Sequence, residues 1–263
     1  MKTSLTSLLL WSLSLCSTAL AKTCPIADTS IIAHTGTPVG KEEVVDGGLT
    51  LYVSKPGCKA PKVGVVYLTD VFGIQLAENK LLADSFARAG YLTVAPDLFN
   101  GTPAPSDLND PSFNTTAFLA AHGPSVVEPL IAKAIAYLRA AGVEKVAATG
   151  YCYGGRYAFR SVGKDKGADV AFAAHPSLLE DGEILAIDGP ASVAAAETDS
   201  LMPPARRAQI EALLANTTQP YQVSLYSGTS HGFGVRANVS DPEQKFGKES
   251  AFFQAVTWFE AWA

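Results

Sequence analysis

A cysteine at position 152 stands in a setting that favours nucleophilic chemistry. It is the third residue of Gly-Tyr-Cys-Tyr-Gly-Gly over 150–155, so one glycine lies two positions before it and another two positions after it. The apolar run Val146 to Ala148 before it is typical of a buried strand, and Arg156 to Val162 after it is typical of the start of a helix. This is the nucleophile-elbow arrangement with cysteine in place of serine. A Cβ at either flanking position would clash with the strand or the helix, which explains the glycines.

Such a turn directs the thiol outward at the N-terminus of a helix. The backbone N–H groups and the helix dipole there favour a thiolate. The same N–H groups are able to hold a developing oxyanion. The alternative is a structural cysteine buried in a glycine-rich turn, because buried free cysteines are common in proteins.

A thiol nucleophile needs a base, and two histidines compete for that role. His231 follows the last predicted strand, with Gly228 and Gly232 giving its loop conformational freedom. His175 ends an earlier predicted strand, directly before Pro176 and nearer the elbow in sequence. His231 is the better candidate, although a turn histidine with a satisfied ring remains its alternative. For His175 the alternatives to a base are a structural strand-end residue and a residue that lines the pocket.

Two acidic residues compete to orient the base. Asp199 follows a predicted strand and precedes Leu-Met-Pro at 201–203, whereas Glu197 lies two residues earlier. Asp199 is the better candidate, with helix N-capping as its alternative role. The chain order Cys152, Asp199, His231 matches the nucleophile, acid, histidine order of α/β-hydrolases.

Alternating strands and helices must position these residues. Apolar and β-branched runs predict strands at 49–54, 63–68, 91–95, 146–149, 168–174, 190–196 and 221–226. Periodic apolar residues predict helices at about 75–89, 125–141 and 156–162, from 203 onward, and at 250–262. The alternation predicts a mostly parallel sheet with helices on both faces.

Functional residues gather at the carboxyl ends of the strands in such a sheet. The predicted strand ends carry six polar candidates, namely Asp70, Asp97, Cys152, His175, Asp199 and His231. We interpret Asp97, which follows Pro96, as a structural acceptor for turn amides.

Two stretches lie outside this alternation. Residues 22–48 are polar and are predicted to be irregular up to the first strand. Residues 100–124 form a loop-like insertion that contains no lysine or arginine. The insertion is predicted to be either a cap over the site or a plain surface loop.

The first residues have the pattern of a secretory signal. Met1-Lys2 is followed by an apolar run from Leu8 to Leu20, and Ala-Leu-Ala at 19–21 is a cleavage site. We therefore expect a signal peptide at 1–21, a single domain at 22–263 and an extracellular location. Four Asn-x-Ser/Thr glycosylation sequons are consistent with an extracellular location, and they lie at Asn100, Asn114, Asn216 and Asn238.

The cysteines also fit an oxidising compartment. Cys16 is lost with the signal, which leaves Cys24, Cys58 and Cys152. A Cys24–Cys58 disulfide would staple the N-terminal segment to the domain and leave Cys152 as the odd thiol. The alternative is that Cys24 and Cys58 are unpaired.

Composition and spacing exclude several classes of partner. The net charge is −5 with no basic run, which argues against nucleic acid and anionic membranes. No HxH, HExxH or CxxC spacing predicts a metal site, and we expect no cofactor. Beyond the signal, no segment is long and apolar enough to span a membrane. We expect a monomer or weak dimer that acts on a small-molecule ester or lactone.

These segments together resemble the dienelactone hydrolase family. The sequence over 150–155 is similar to its G-x-C-x-G-G elbow, 199–203 to its D-x-x-x-P acid segment, and 231–233 to its histidine loop. Two further stretches, 69–73 and 95–99, also resemble the family, so the likeness extends from Val63 to about Arg236. The resemblance implies an α/β-hydrolase fold and a catalytic triad of Cys152, Asp199 and His231.

The resemblance also implies the oxyanion donors and an activating acid. The donors would be the backbone N–H groups of Val71 and Tyr153. The acid at position 70 would help to hold or activate the thiol. The family usually has Glu there, whereas this chain has Asp70, which is one methylene shorter.

The family typically holds small anionic lactones with arginines, one of them in the segment that matches 100–124. This chain has no basic residue in that segment. Arg236 and Arg156 are the candidates for an anion contact, with a plain surface role as the alternative. Phe72 and His175 complete the predicted substrate contacts.

The thiol itself narrows the reaction. Thiolate leaves a tetrahedral intermediate far more readily than an alkyl alkoxide, so ordinary esters revert, whereas enol and phenol esters compete better. We therefore expect a hydrolase of activated esters or lactones. Class I glutaminases share a G-x-C-x-G elbow but end in an H-x-E pair, whereas His231 is followed by Gly232-Phe233. A secreted binding protein that kept the fold and lost turnover is the remaining alternative.

Overall fold

The computed structural model describes residues 31–45, 47–57 and 61–263. The predicted signal peptide, Cys24 and Cys58 lie outside these residues. The described chain folds into eight strands, β1 Lys41–Val45, β2 Leu49–Ser54, β3 Val63–Leu68, β4 Leu92–Pro96, β5 Lys145–Tyr151, β6 Val170–Ala174, β7 Ala191–Thr198 and β8 Tyr221–Ser230. Its helices are α1 Ala77–Arg88, α2 Thr115–Ala121, α3 Pro124–Ala140, α4 Tyr153–Ser161, α5 Asp181–Leu185, α6 Pro204–Ala215, α7 Phe233–Arg236 and α8 Pro242–Trp262.

The strands form a single sheet in the order β1-β2-β4-β3-β5-β6-β7-β8. The β1–β2 and β2–β4 pairs are antiparallel, and the pairs from β4 through β3 to β8 are parallel. The predicted mostly parallel sheet is confirmed, and the arrangement is that of the α/β-hydrolase fold.

Helices cover both faces of the sheet. On one face α3, α4 and α6 bury side chains such as Ile131, Tyr157 and Leu214. On the other face α1 and α8 bury Phe86 and Phe252, whose ring centroids lie 4.9 Å apart. The central strands are buried on both sides because each face has its own layer of helices. None of the helices in the described ranges combines the length and the apolar character of a membrane span.

Four predicted boundaries were wrong or incomplete. β1 lies in the stretch expected to be irregular, where its charged, exposed residues give no apolar alternation. The insertion 100–124 is not all loop, because it contains α2. β8 runs on to Ser230 through a register shift against β7. α8 begins at Pro242, eight residues before the prediction, where the Asp241 side chain caps it.

The strand ends converge on one edge of the sheet, as predicted. The six candidates at strand ends each lie within two residues of the carboxyl end of their strand, Asp70 after β3, Asp97 after β4, Cys152 after β5, His175 after β6, Asp199 after β7 and His231 after β8. Asp97 accepts hydrogen bonds from the N–H groups of Phe99 (3.1 Å) and Gly101 (2.7 Å), which confirms its structural role.

Candidate active site

Cys152 occupies a sharp turn between β5 and α4. Its backbone has φ 51° and ψ −116°, a region that residues other than glycine rarely adopt. Hydrogen bonds hold the turn from both sides: the Cys152 N–H donates to Ala174 O (3.1 Å), and its carbonyl accepts from Gly155 N (3.0 Å) and Ser177 N (3.0 Å). These hydrogen bonds fix the backbone of Cys152, and with it the position from which the thiol projects.

The glycines around Cys152 are required by close backbone contacts. A Cβ on Gly150 would lie 2.1 Å from the carbonyl oxygen of Gly154. A Cβ on Gly154 would lie 2.1 Å from the carbonyl oxygen of Leu68, and one on Gly155 would lie 2.8 Å from Pro176 Cβ. Strand, turn and helix thus pack too tightly here for any side chain, as the elbow pattern predicts.

His231 is paired with Asp199. The His231 Nδ1 lies 2.8 Å from Asp199 Oδ2, and the Asp199 side chain is fully buried. The other Asp199 oxygen accepts from the N–H groups of Leu201 (2.8 Å) and Met202 (3.1 Å), so it also fixes the turn before α6. The rival acid Glu197 is exposed and accepts from Gly228 N–H instead.

The pKa of His231 reflects this pairing. Burial lowers the pKa, but the hydrogen bond to Asp199 and the proximity of Cys152 outweigh burial and raise it to about 9. A histidine with that pKa binds a proton tightly at neutral pH. The site therefore favours an imidazolium beside the cysteine.

His175 does not line the cavity, so its predicted place among the substrate contacts was wrong. Its side chain is fully buried, with its ring edge-on to the His231 ring at 4.9 Å between centroids and 5.4 Å from the Phe233 ring. Neither ring nitrogen has a side-chain or backbone hydrogen-bond partner among the described residues, and burial lowers the pKa of His175 well below its ordinary value. The ring is thus a neutral wall behind His231.

Ser177 is a neighbour of the thiol that the sequence pattern did not single out. Its Oγ lies 3.6 Å from Cys152 Sγ, and the side chain is buried. Twenty-five residues separate the two positions, and no local motif contains both. Only the pairing of β5 with β6 brings them together.

Asp70 is fully buried beside the loop that follows β3. Its Oδ1 accepts from Asn79 Nδ2 (2.8 Å) and Phe72 N–H (3.1 Å), and its Oδ2 lies 3.3 Å from Arg236 Nε. Burial raises its pKa, and the contacts with Asn79 and Arg236 oppose that rise. Among the described residues, its hydrogen-bond partners do not include the Cys152 thiol.

A cavity of about 170 Å³ opens above Cys152 and His231. Its remaining lining is mostly apolar and comprises Val71, Phe72, Ala104, Leu108, Phe113, Thr115, Phe118, Leu119, Tyr153, Ser177, Leu178, Leu201 and Arg236. Six of these residues come from the insertion 100–124, so the insertion is a cap over the site rather than a plain surface loop. Val71 and Tyr153, the predicted oxyanion donors, both line this cavity with Cys152, and Tyr153 is the first residue of α4.

The two candidate arginines lie in different surroundings. The Arg236 guanidinium lines the cavity, stacks over the Phe72 ring at 4.6 Å and is 37% exposed. Arg156 lies outside the cavity and pairs with Glu180 (2.6 Å) and Glu183 (2.7 Å), which favours its alternative role in surface ion pairs over an anion contact.

Other surface features have no part in this arrangement. Two larger grooves, of about 320 and 460 Å³, lie beside α4, and ion-paired Glu128, Arg160 and Lys166 line both of them. Neither groove contains Cys152 or His231. Within the described ranges, no three His, Cys, Asp or Glu side chains are grouped to hold a metal ion. The four sequon asparagines are exposed.

Comparison with known proteins gives a consistent result. The profile of the Dienelactone hydrolase family matches residues 49–263. Hydrolase pyvD of Aspergillus violaceofuscus is 40% identical over 214 residues, which cover 81% of this chain and 86% of that protein. Hydrolase tropI of Talaromyces stipitatus is 37% identical and covers 86% of this chain and 91% of its own. The crystal structure of dienelactone hydrolase from Anabaena variabilis superposes with a TM-score of 0.61 at 14% identity, covering 85% and 97% of the two chains, which supports the fold.

Proposed function

Because the chain belongs to the dienelactone hydrolase family, we propose that it hydrolyses activated esters or lactones through an acyl-enzyme on Cys152. The observation that carries this proposal is the shared cavity: the elbow cysteine and His231 line one apolar pocket, and Asp199 lies behind it, 2.8 Å from Nδ1 of His231. These are a nucleophile, a base and an orienting acid in one place.

The proposed roles follow from the hydrogen bonds. Asp199 holds Nδ1 of His231, so Nε2 is the ring nitrogen left to take the thiol proton. The thiolate then attacks the ester carbonyl, and the imidazolium returns the proton to the leaving oxygen. Water, deprotonated by His231, hydrolyses the resulting thioester and releases the acid.

The proposed oxyanion donors are the backbone N–H groups of Val71 and Tyr153. Tyr153 opens α4, and the first N–H groups of a helix have no partner within the helix. Val71 lines the same cavity and lies in the loop after β3. Two such donors, aimed where the negative charge develops, stabilise the tetrahedral intermediates.

The proposal includes secretion, a disulfide between Cys24 and Cys58, and a monomer or weak dimer. Supporting secretion are the signal-like first 21 residues and four sequons whose asparagines lie on the surface. Nothing among the described residues favours the alternative of a non-catalytic binding protein.

The test is a comparison of the wild-type chain with Cys152→Ala and Cys152→Ser on 4-nitrophenyl esters, an enol lactone and ethyl esters. We expect activity on the first two classes, a loss of at least about 10³-fold in both variants, and little ethyl ester turnover. Mass spectrometry during turnover should find the acyl group on the peptide that contains Cys152. Activity that survives in Cys152→Ala, or a preference for ethyl esters, would contradict the proposal.

A further inference from the structure

Three exposed leucines surround the mouth of the active-site cavity. Leu108, Leu178 and Leu201 all line the cavity, and they are 43%, 45% and 53% exposed. They belong to three separate segments, the cap, the loop after β6 and the turn after β7. Scattered single leucines need no explanation, but a set that rims one cavity marks a binding surface.

The interior of the cavity is equally apolar. Phe113, Phe118 and Leu119 of the cap line the cavity together with Cys152, and Phe72 of the loop after β3 also lines it. The Phe118 ring packs on Phe99 at 5.3 Å between centroids, so the cap contacts the segment that follows β4. Mostly apolar walls favour an apolar acyl or alcohol portion.

Charge in the cavity is already compensated. Among the residues that the structure describes, Arg236 is the one cationic side chain in the lining apart from His231. Its Nε lies 3.3 Å from the buried Asp70 carboxylate, and its guanidinium covers the Phe72 ring. A substrate carboxylate would share this arginine with Asp70 and would lose hydration against phenylalanine side chains.

The cavity is also small. Its volume of about 170 Å³ is below the roughly 300–1,000 Å³ typical of pockets that enclose drug-sized ligands. A substrate larger than a short ester therefore projects through the mouth and meets the leucine rim. Leu178 has φ 59°, a left-handed backbone conformation that glycine or asparagine adopts with less strain than leucine. An apolar side chain therefore stands at a position where the backbone itself favours a different residue.

From these features we propose that the substrate is an uncharged, lipophilic ester or lactone whose apolar portion extends from the cavity across Leu108, Leu178 and Leu201. The proposal rests on the hydrolase function above and specifies its substrate class. According to this proposal, contacts with the three rim leucines make the enzyme prefer substrates with a longer apolar portion.

The experiment measures kcat/KM for 4-nitrophenyl acetate, butyrate, hexanoate and octanoate, each divided by the rate constant for its hydroxide hydrolysis. A comparison at matched chain length uses hexanoate and the 4-nitrophenyl monoester of adipic acid, which has the same six-carbon acyl chain with a terminal carboxylate. We expect the normalised kcat/KM to rise at least about tenfold from acetate to octanoate, and hexanoate to exceed the adipate ester by about tenfold or more.

The double variant Leu108→Asn, Leu201→Asn tests the rim directly. Its loss of kcat/KM should increase with chain length, to about tenfold more for octanoate than for acetate. Leu185→Asn and Leu225→Gln are matched controls, because these leucines are 50% and 51% exposed and lie away from the cavity. We expect both controls to keep the wild-type profile.

The outcomes separate the two proposals. No turnover of any ester would overturn the hydrolase function itself. Turnover with a flat chain-length profile, a preference for the adipate ester, or equal losses on acetate and octanoate in the rim variant would overturn the lipophilic substrate and leave the hydrolase function standing.

Discussion

The ring of His175 stands edge-on to the ring of His231, with 4.9 Å between their centroids, and has no exposed surface. His175 has φ 39°, its N–H donates to Ala194 O at 2.8 Å, and Pro176 follows it. The histidine that pairs with Asp199 thus packs against a second, buried imidazole. Because a protonated His175 would be desolvated and would face the His231 charge, its pKa lies well below the ordinary value.

This burial predicts acid sensitivity. Above the unfolded-state pKa of about 6.5, His175 is neutral in both the folded and the unfolded state and does not change the free energy of unfolding with pH. Below that pH the histidine is protonated in the unfolded state and stays neutral in the folded state, so protonation favours unfolding. Stability therefore falls as pH drops below about 6.5, by up to about 1.4 kcal/mol per pH unit. His175→Phe, which keeps a ring but cannot be protonated, should lose less stability than wild type between pH 7 and 5. Urea unfolding at both pH values measures this, and an equal loss in both proteins would contradict it.

The Asp199–His231 pair predicts the opposite trend. The folded-state pKa of His231 is raised to about 9, so the pair stabilises the fold fully below about 6.5 and loses that contribution as pH rises through about 9. Asp199→Asn removes the charge but keeps an oxygen for the N–H groups of Leu201 and Met202. The difference in Tm between wild type and this variant should be largest near pH 6 and shrink toward pH 10. A difference independent of pH would contradict the ion pair.

The elbow glycines predict a steric requirement. Gly154→Ala would place a Cβ 2.1 Å from the carbonyl oxygen of Leu68, and backbone atoms have no room to yield. We expect a loss of about 1–3 kcal/mol or more in stability and of at least about 100-fold in kcat/KM. Gly182→Ala is the matched control, since nothing lies within 4 Å of its Cβ position in α5. If Gly154→Ala kept wild-type Tm and activity, the described packing of the elbow would be wrong.

Much of the fold and part of the site could be predicted because their signals are local. The runs that form β3, β5 and β6 are short and apolar, so strand placement followed from composition. β1 was not predicted because it is an edge strand, which pairs through backbone hydrogen bonds and carries charged, exposed side chains instead of an apolar pattern. Cys152, Asp199 and His231 each follow a strand, and strand ends meet at one edge.

The contacts that modulate the site could not be predicted, because they depend on packing between distant segments. Asn79 holds Asp70 from α1, and Ser177 reaches the thiol from the loop after β6. The place of His175 behind His231, rather than in the cavity, is set by the Phe233 and Tyr151 rings around it. The spacing of residues in the sequence does not indicate how such side chains from different segments pack against one another.

Ser177 supports the last prediction, because its hydroxyl lies 3.6 Å from Cys152 Sγ inside the buried elbow. A hydroxyl at this distance limits the orientations of the sulfur and donates to the thiolate. Ser177→Ala should slow alkylation of Cys152 by iodoacetamide at pH 7 and lower kcat/KM by about 3–10-fold, which corresponds to one hydrogen bond of about 1 kcal/mol. Ser161→Ala is the control, since Ser161 is as buried but donates to Tyr157 O away from the cavity. The two variants should lose similar stability, because each loses one buried hydroxyl. A lower rate of Cys152 alkylation in Ser177→Ala alone would therefore show that Ser177 positions the thiol. Equal alkylation rates across pH 6–9 in both would leave Ser177 with a structural role alone.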